Sequence, residues 1–247
     1  MKILIISLPD HAARRAPLIA TLEGAGIAHE VFPAIDGRAG FPEQMAALVD
    51  TDALAALPRP LTNGEIACAL SHALACRHIA EDLREPAIIL EDDAIIGADF
   101  TEVVTSGALE AAGRDLILLY HNRTRVLRGW AQAICGRFQL RRPIKQPYGA
   151  VGYFVTPATA RRIADQSLPI ADVADWGLDI LELDTVCIVP RIVGHPPVEP
   201  QQTTMRERAD IMKHARVRKR GLFSKLTDFG YVRYAFQKWR SEWIYRD

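Results

Sequence analysis

The apolar residues of this chain fall in short unbroken runs separated by stretches of helical spacing. Residues 2–8 (KILIISL) read as a strand buried on both faces. Asp10 stands where it caps a helix running to about Glu23, with Leu18, Ile19 and Leu22 on one face and Gly24 and Gly26 to end it. Residues 29–34 (HEVFPA) read as a second strand, closed by Asp36-Gly37. An alanine-rich helical patch follows at 43–57, then a linker marked by Pro58 and Pro60. Thr62-Asn63-Gly64-Glu65 fits a capping box that opens a helix through about Leu83. EPAIILEDD (85–93), a helix from about Phe100 to Ala112, and the strand DLILLY (115–120) complete the regular part. This alternation predicts an α/β fold with a Rossmann-like, mostly parallel central sheet flanked by helices. Beyond it, the sequence predicts a hairpin near Phe138–Leu140, a strand at 148–156, a helix from Pro157 to Asp165 and a strand at 185–190. HPPVEPQ (195–201) is too rich in proline for regular structure.

The stretch EPAIILEDD carries the clearest chemistry. Its apolar run suits a strand buried on both faces, and its acids fall at the C-terminal end, where open α/β sheets place ligands. Adjacent carboxylates repel one another and need a cation or hydrogen-bond donors nearby. A divalent metal of hard oxygen preference, itself able to hold a diphosphate, meets that need. Taken alone, the stretch is also compatible with a plain acidic turn after a strand.

Composition narrows the classes. With 247 residues, 49% of them hydrophobic, the chain can bury a sizeable core. Its zero formal charge hides an uneven split. Residues 1–205 carry 18 basic and 25 acidic side chains, and residues 206–247 carry 12 and 5. We therefore read 1–205 as the main domain and 206–247 as a basic, aromatic, helical extension. The acidic body argues against nucleic-acid binding. Cys68, Cys76, Cys135 and Cys187 match no zinc-ligand pattern and are expected as reduced thiols. The N-terminal apolar run is too short for a secretory core, and no stretch approaches the length of a membrane span. These features predict a cytoplasmic protein, with any membrane attachment peripheral. No G-x-G-x-x-G loop follows the first strand, so a dinucleotide cofactor is not indicated.

Several segments, in order, resemble glycosyltransferase family 25, which includes lipooligosaccharide galactosyltransferases and collagen galactosyltransferase domains. They are ISLPDHAARR near the start, AIDG (34–37), GEIACALSH (64–72), IILEDDA (88–94) and YGAVGYFVTPATARRI (148–163), with a terminal segment through HPPVEPQ. The resemblance implies a GT-A-like fold and inverting transfer of a hexose, galactose from UDP-galactose, to a saccharide acceptor. That acceptor would be a lipooligosaccharide or related surface glycan. It also implies manganese, or magnesium, at the acidic motif, with Asp93 and Glu91 as ligands and a late histidine, His195, completing the shell. Asp92, a further acid of the run, then binds the ion through water or touches the donor ribose.

Further donor contacts are expected from Ser7, Leu8 and Arg14, where a strand end meets a helix start. Asp36, His72, Tyr148, Gly149 and Tyr153 are expected to line the donor site. Each has an ordinary structural role as well: Asp36 as an Asp-Gly turn, His72 as a core histidine, the glycines as bulges. Inversion needs a base on the sugar face opposite the leaving diphosphate, which a metal-bound carboxylate cannot supply. The segment PIADVADWGLDI (169–180) offers Asp175, beside a Trp176 placed to stack on a sugar, with Asp172 as second choice. The basic extension suits an anionic membrane surface, as for a lipid-linked acceptor, or a helix packed on the body. Two other classes compete: a catalytically silent relative that binds glycans as an adhesion protein, and a phosphate-ester hydrolase that releases free sugar.

Overall fold

The computed structural model describes residues 1–41, 43–174, 176–197 and 238–245. Along the chain the elements are β1 (Lys2–Ser7), α1 (Ala12–Gly24), β2 (Glu30–Pro33), α2 (Glu43–Ala46), α3 (Thr51–Ala55) and α4 (Asn63–His78). A π-turn at Ile79–Leu83 extends α4 into β3 (Ala87–Glu91), β4 (Ile95–Ile96), α5 (Ala98–Thr105) and α6 (Ala108–Ala111). Then come β5 (Leu116–Leu118), β6 (Arg125–Leu127), β7 (Gln132–Cys135), β8 (Phe138–Arg141), β9 (Gly152–Val155), α7 (Pro157–Ser167), β10 (Thr185–Val189), β11 (Val193–Gly194) and β12 (Ser241–Trp243).

Among the described residues, eight strands form one sheet in the order β2-β1-β3-β9-β5-β10-β8-β7. Strands β1, β2 and β3 run parallel, as do β5 and β10, while β9 and β8 run against their neighbours. Helices cover both faces, so the central strands are apolar on both sides. Along β3, Ile88 and Leu90 enter one core with Ile3, Ile5, Phe100 and Phe154. Ala87 and Ile89 enter the other with Leu4, Ile6, Cys76 and Tyr153. Each isoleucine, leucine or phenylalanine among them contributes about 1.5–3 kcal/mol of burial, which explains the unbroken apolar run.

Local chemistry fixes the ends of the elements. Thr62 and Glu65 form the expected reciprocal capping box on α4. The cap expected from Asp10 does not form: His11 is the N-cap of α1 without a side-chain bond, and Asp10 pairs with Arg38 at 2.8 Å instead. The helix expected over 100–112 is split, because Gly107 at φ +70° turns the chain between α5 and α6. Gly37 lets the loop after β2 lie against α4, where a Cβ would stand 2.5 Å from the Asn63 carbonyl oxygen.

Of the basic extension, residues 206–237 lie outside the described residues. Its described end is a strand rather than a helix: β12 pairs antiparallel with β6, and Arg125 lies over the Trp243 ring. The unpaired edge of β6 offers a ladder, and the aromatic and apolar residues of this segment suit a strand. No helix among the described residues is long and apolar enough to cross a membrane.

Candidate active site

Strand β3 ends at Glu91, and the next residues turn sharply, with Ala94 N–H donating to the Glu91 carbonyl at 3.1 Å. The turn spreads three consecutive carboxylates in different directions. Asp92 is buried and points toward β1 and α1. It accepts from Ser7 Oγ at 2.9 Å and Arg14 Nε at 3.2 Å, and lies 3.4 Å from His11 Nδ1. Arg15 anchors the same loop by donating to Ser7 Oγ at 3.1 Å and the Leu8 carbonyl at 2.9 Å. Arg14, not Arg15, is therefore the cation that faces the acids.

Asp93 points to the other side of the turn. Its Oδ2 meets Arg14 and, at 3.2 Å, His195 Nε2. Its Oδ1 is buried and has no hydrogen-bond partner among the described residues. An unsatisfied buried acceptor costs about 1–3 kcal/mol, and more when charged. Burial would raise the Asp93 carboxyl, but the His195 hydrogen bond and the Arg14 charge outweigh it and hold it below the usual range. The same hydrogen bond raises His195 against the opposing effect of its burial.

Ligand atoms of Glu91, Asp93 and His195 lie within 4.8 Å of one another. Two carboxylates and an imidazole are a donor set that Mn²⁺ accepts. The orphaned Asp93 Oδ1 is an atom that a cation would satisfy. These residues therefore fit the divalent ion expected from the acidic motif.

Glu91 is steadied from behind. His72 is buried, with Nε2 3.3 Å from Glu91 Oε1 and Nδ1 3.0 Å from the Tyr153 hydroxyl. Tyr153 is 1% exposed, because β9 is an interior strand between β3 and β5. The expected donor contact by Tyr153 is thus corrected: it supports His72 from within the core. Ser7 is likewise buried and holds Asp92. The expected stacking of Trp176 on a sugar is corrected too, since its ring is buried edge-on against Tyr153 at 5.0 Å between centroids.

The remaining expected residues are more scattered. Asp36 is exposed and bound by Arg38 at 2.6 Å, whose hydrogen bond lowers it to about 2. Tyr148 is exposed, with Arg123 and Lys145 near its ring. Gly149, at φ +91°, packs so closely that a Cβ would stand 2.4 Å from the Tyr120 ring. Asp172 lines a cavity of about 40 Å³ that also touches His72, and accepts from Val173 N–H at 2.7 Å. Asp175 lies outside the described residues.

Two clefts adjoin along Ile95, Ile96 and Pro196, just beyond the acidic turn. One, of about 340 Å³, is bounded by Arg14, Thr21, Asp92, Asp93 and Pro196. The other, of about 970 Å³, is bounded by residues including Asp99, Tyr120, Asn122, Arg191, His195 and Tyr245. Arg191 lies over the Tyr245 ring at 3.9 Å and beside Tyr120 at 5.4 Å. The Tyr245 hydroxyl accepts from Arg191 N–H at 3.2 Å. Sequence reasoning missed Arg191, Tyr120, Tyr245 and His11, for nothing in their local sequence distinguishes them.

Residues 1–176 match the model of glycosyltransferase family 25 (LPS biosynthesis protein). The chain belongs to glycosyltransferase family 25. The family match includes the acidic turn, Arg14 and His72, whereas His195, Arg191 and Tyr245 lie beyond it. Human procollagen galactosyltransferase 2 is 29% identical over 135 residues, which cover 51% of this chain and 21% of that protein. The chain thus aligns with about a fifth of that relative's length. Among solved structures, A197 from STIV aligns at TM-score 0.39 with 13% identity, covering 80% of this chain and 86% of that one. A protein described as a glucose-1-phosphate thymidylyltransferase from Bacillus anthracis aligns at TM-score 0.38 with 11% identity, covering 90% and 97%.

Proposed function

We propose that this chain is a metal-dependent, inverting glycosyltransferase with a GT-A-like fold. It moves a hexose, galactose from UDP-galactose, onto a saccharide acceptor of a lipooligosaccharide or related surface glycan. The observation that carries this reading is that ligand atoms of Glu91, Asp93 and His195 lie within 4.8 Å of one another, with the buried Asp93 Oδ1 left without a partner among the described residues. A galactosyl donor is supported by the human procollagen galactosyltransferase relative, and a surface-glycan acceptor by the family's description.

Glu91, Asp93 and His195 would hold Mn²⁺ or Mg²⁺. Bound there, the ion supplies charge neutralisation at the diphosphate as the leaving oxygen becomes negative. Arg14 adds a fixed cation on the same side, and Asp92 keeps Arg14 aimed by its own bond at 3.2 Å. His72 holds Glu91 in place. The larger cleft offers aromatic rings, an amide and a guanidinium beside His195, a lining suited to a saccharide acceptor. Asp175 takes the proton of the attacking hydroxyl, with Asp172 second. The enzyme works at the cytoplasmic membrane face, where basic residues of 206–247 outside β12 meet anionic lipid.

A screen of labelled nucleotide sugars with and without Mn²⁺ tests the reading. Metal-dependent transfer of label to a core oligosaccharide supports it. Release of free sugar with no transfer product identifies a hydrolase and overturns it.

A further inference from the structure

We infer that Cys68, His72 and Glu91 form a second metal site, for a thiophilic divalent ion such as Zn²⁺, and that an ion there draws Glu91 away from Asp93 and His195. Ligand atoms of the three residues lie within 4.8 Å of one another. Cys68 and His72 stand one turn apart on α4 and share a face. Glu91 reaches them from the end of β3, with Oε1 3.3 Å from His72 Nε2. A thiolate, an imidazole and a carboxylate, with water in the fourth position, make a tetrahedral zinc set. The sulfur favours zinc over the harder ions that suit Asp93.

The surroundings of His72 already have the form of a ligating histidine. Its Nδ1 meets the buried Tyr153 hydroxyl at 3.0 Å, and that hydroxyl lies 3.7 Å from Cys76 Sγ. Ligating histidines characteristically donate their second ring N–H to a fixed oxygen acceptor, which sets the tautomer, and the Tyr153 oxygen stands in that place. Without an ion, the Nε2–H tautomer steadies Glu91; with the proton on Nδ1 instead, the Nε2 lone pair faces the Glu91 carboxylate, and a cation between them satisfies both. Coordination converts the Cys68 thiol to thiolate, and its proton leaves to solvent. The linear spacing of the cysteines gives no hint of this, because only one of them takes part.

Glu91 belongs to both clusters, so the two ions compete for it. The competition rests on the hard-metal site of the proposed function; the thiolate site does not. Titrating Co²⁺ into the full-length protein separates them. A thiolate-to-metal charge-transfer band is expected in the wild type and in His195→Ala. It should disappear in Cys68→Ser and Cys68→Ala that keep the wild-type circular dichroism. Tyr153→Phe should weaken the affinity by about 10–100-fold. No band in the wild type, or a band that survives both Cys68 substitutions, overturns the site. In a second measurement, Zn²⁺ titrated into Mn²⁺-loaded protein should release Mn²⁺, read by paramagnetic resonance, at a lower Zn²⁺ concentration from the wild type than from Cys68→Ser, where only direct displacement remains. Equal release from both overturns the competition.

Discussion

His195 Nε2 lies 3.2 Å from Asp93 Oδ2 because the strands beside them pair in one register. Strands β4 and β11 run antiparallel, with Gly194 opposite Ile95 and Val193 opposite Ile96. One step further along that ladder, the residue after β11 arrives at the acidic turn. A two-residue strand pair thus carries a late histidine to a carboxylate from the first half of the chain.

Removing the carboxylate should remove metal-dependent turnover without unfolding the protein. Asp93→Asn keeps the shape of the side chain and is expected to lower kcat by at least about 100-fold, as for loss of several kcal/mol of charge stabilisation. Steady-state rates across a Mn²⁺ titration check this, with unchanged thermal unfolding as the control. Full activity in this variant contradicts the metal assignment.

The buried histidine under the C-terminal strand should make the fold acid-sensitive. Burial lowers His121 to about 4, and its nitrogens are engaged by the Ile188 carbonyl at 2.9 Å and Thr124 Oγ1 at 3.0 Å. Its folded value is below the unfolded value of about 6.5, so the unfolded chain takes up the proton first. Stability is fully present above pH about 6.5 and falls as pH drops from there toward about 4, by about 3 kcal/mol at most. Urea unfolding across this window checks it, and His121→Gln should flatten the dependence on pH.

Gly37→Ala should destabilise the protein by about 2 kcal/mol, in the range of overpacking at a tight contact. The added Cβ meets a backbone oxygen at 2.5 Å, which cannot swing away as a side chain can. The midpoint of urea unfolding reports the loss. A neutral result would mean that the loop after β2 does not rest on α4.

Tyr245→Ala should raise the KM for a saccharide acceptor by about tenfold, equivalent to about 1.4 kcal/mol, and leave the donor KM unchanged. Tyr245→Phe, which keeps the ring over Arg191, should recover most of the affinity. Equal rises in both constants would point to disruption of the fold by loss of the β12 contact.

The apolar runs were legible in the sequence because the strands that carry them are buried on both faces, so no alternation interrupts them. The capping box of Thr62 and Glu65 was legible because it is a local exchange of two bonds. Asp10 was misread because a cap and a long-range ion pair look alike in sequence, and Arg38 wins it. The acidic run announced a site but not its internal division. Only the turn after Glu91 decides that Asp92 faces Ser7 while Asp93 faces His195. Tyr153 was misplaced because an aromatic in a glycine-bearing strand reads as pocket lining, whereas β9 lies between two other strands. Arg191 and Tyr245 meet because the pairing of β12 with β6 delivers the tyrosine ring, which no local pattern encodes.

The central claim is that Glu91, Asp93 and His195 hold one divalent cation that in turn holds a nucleoside diphosphate. Calorimetric titration of UDP into the purified protein, with and without Mn²⁺, tests it most directly. Binding that requires Mn²⁺ in the wild type and is lost in Asp93→Asn and His195→Ala is the expected result. UDP binding that is indifferent to Mn²⁺, or unchanged in both variants, would contradict the account.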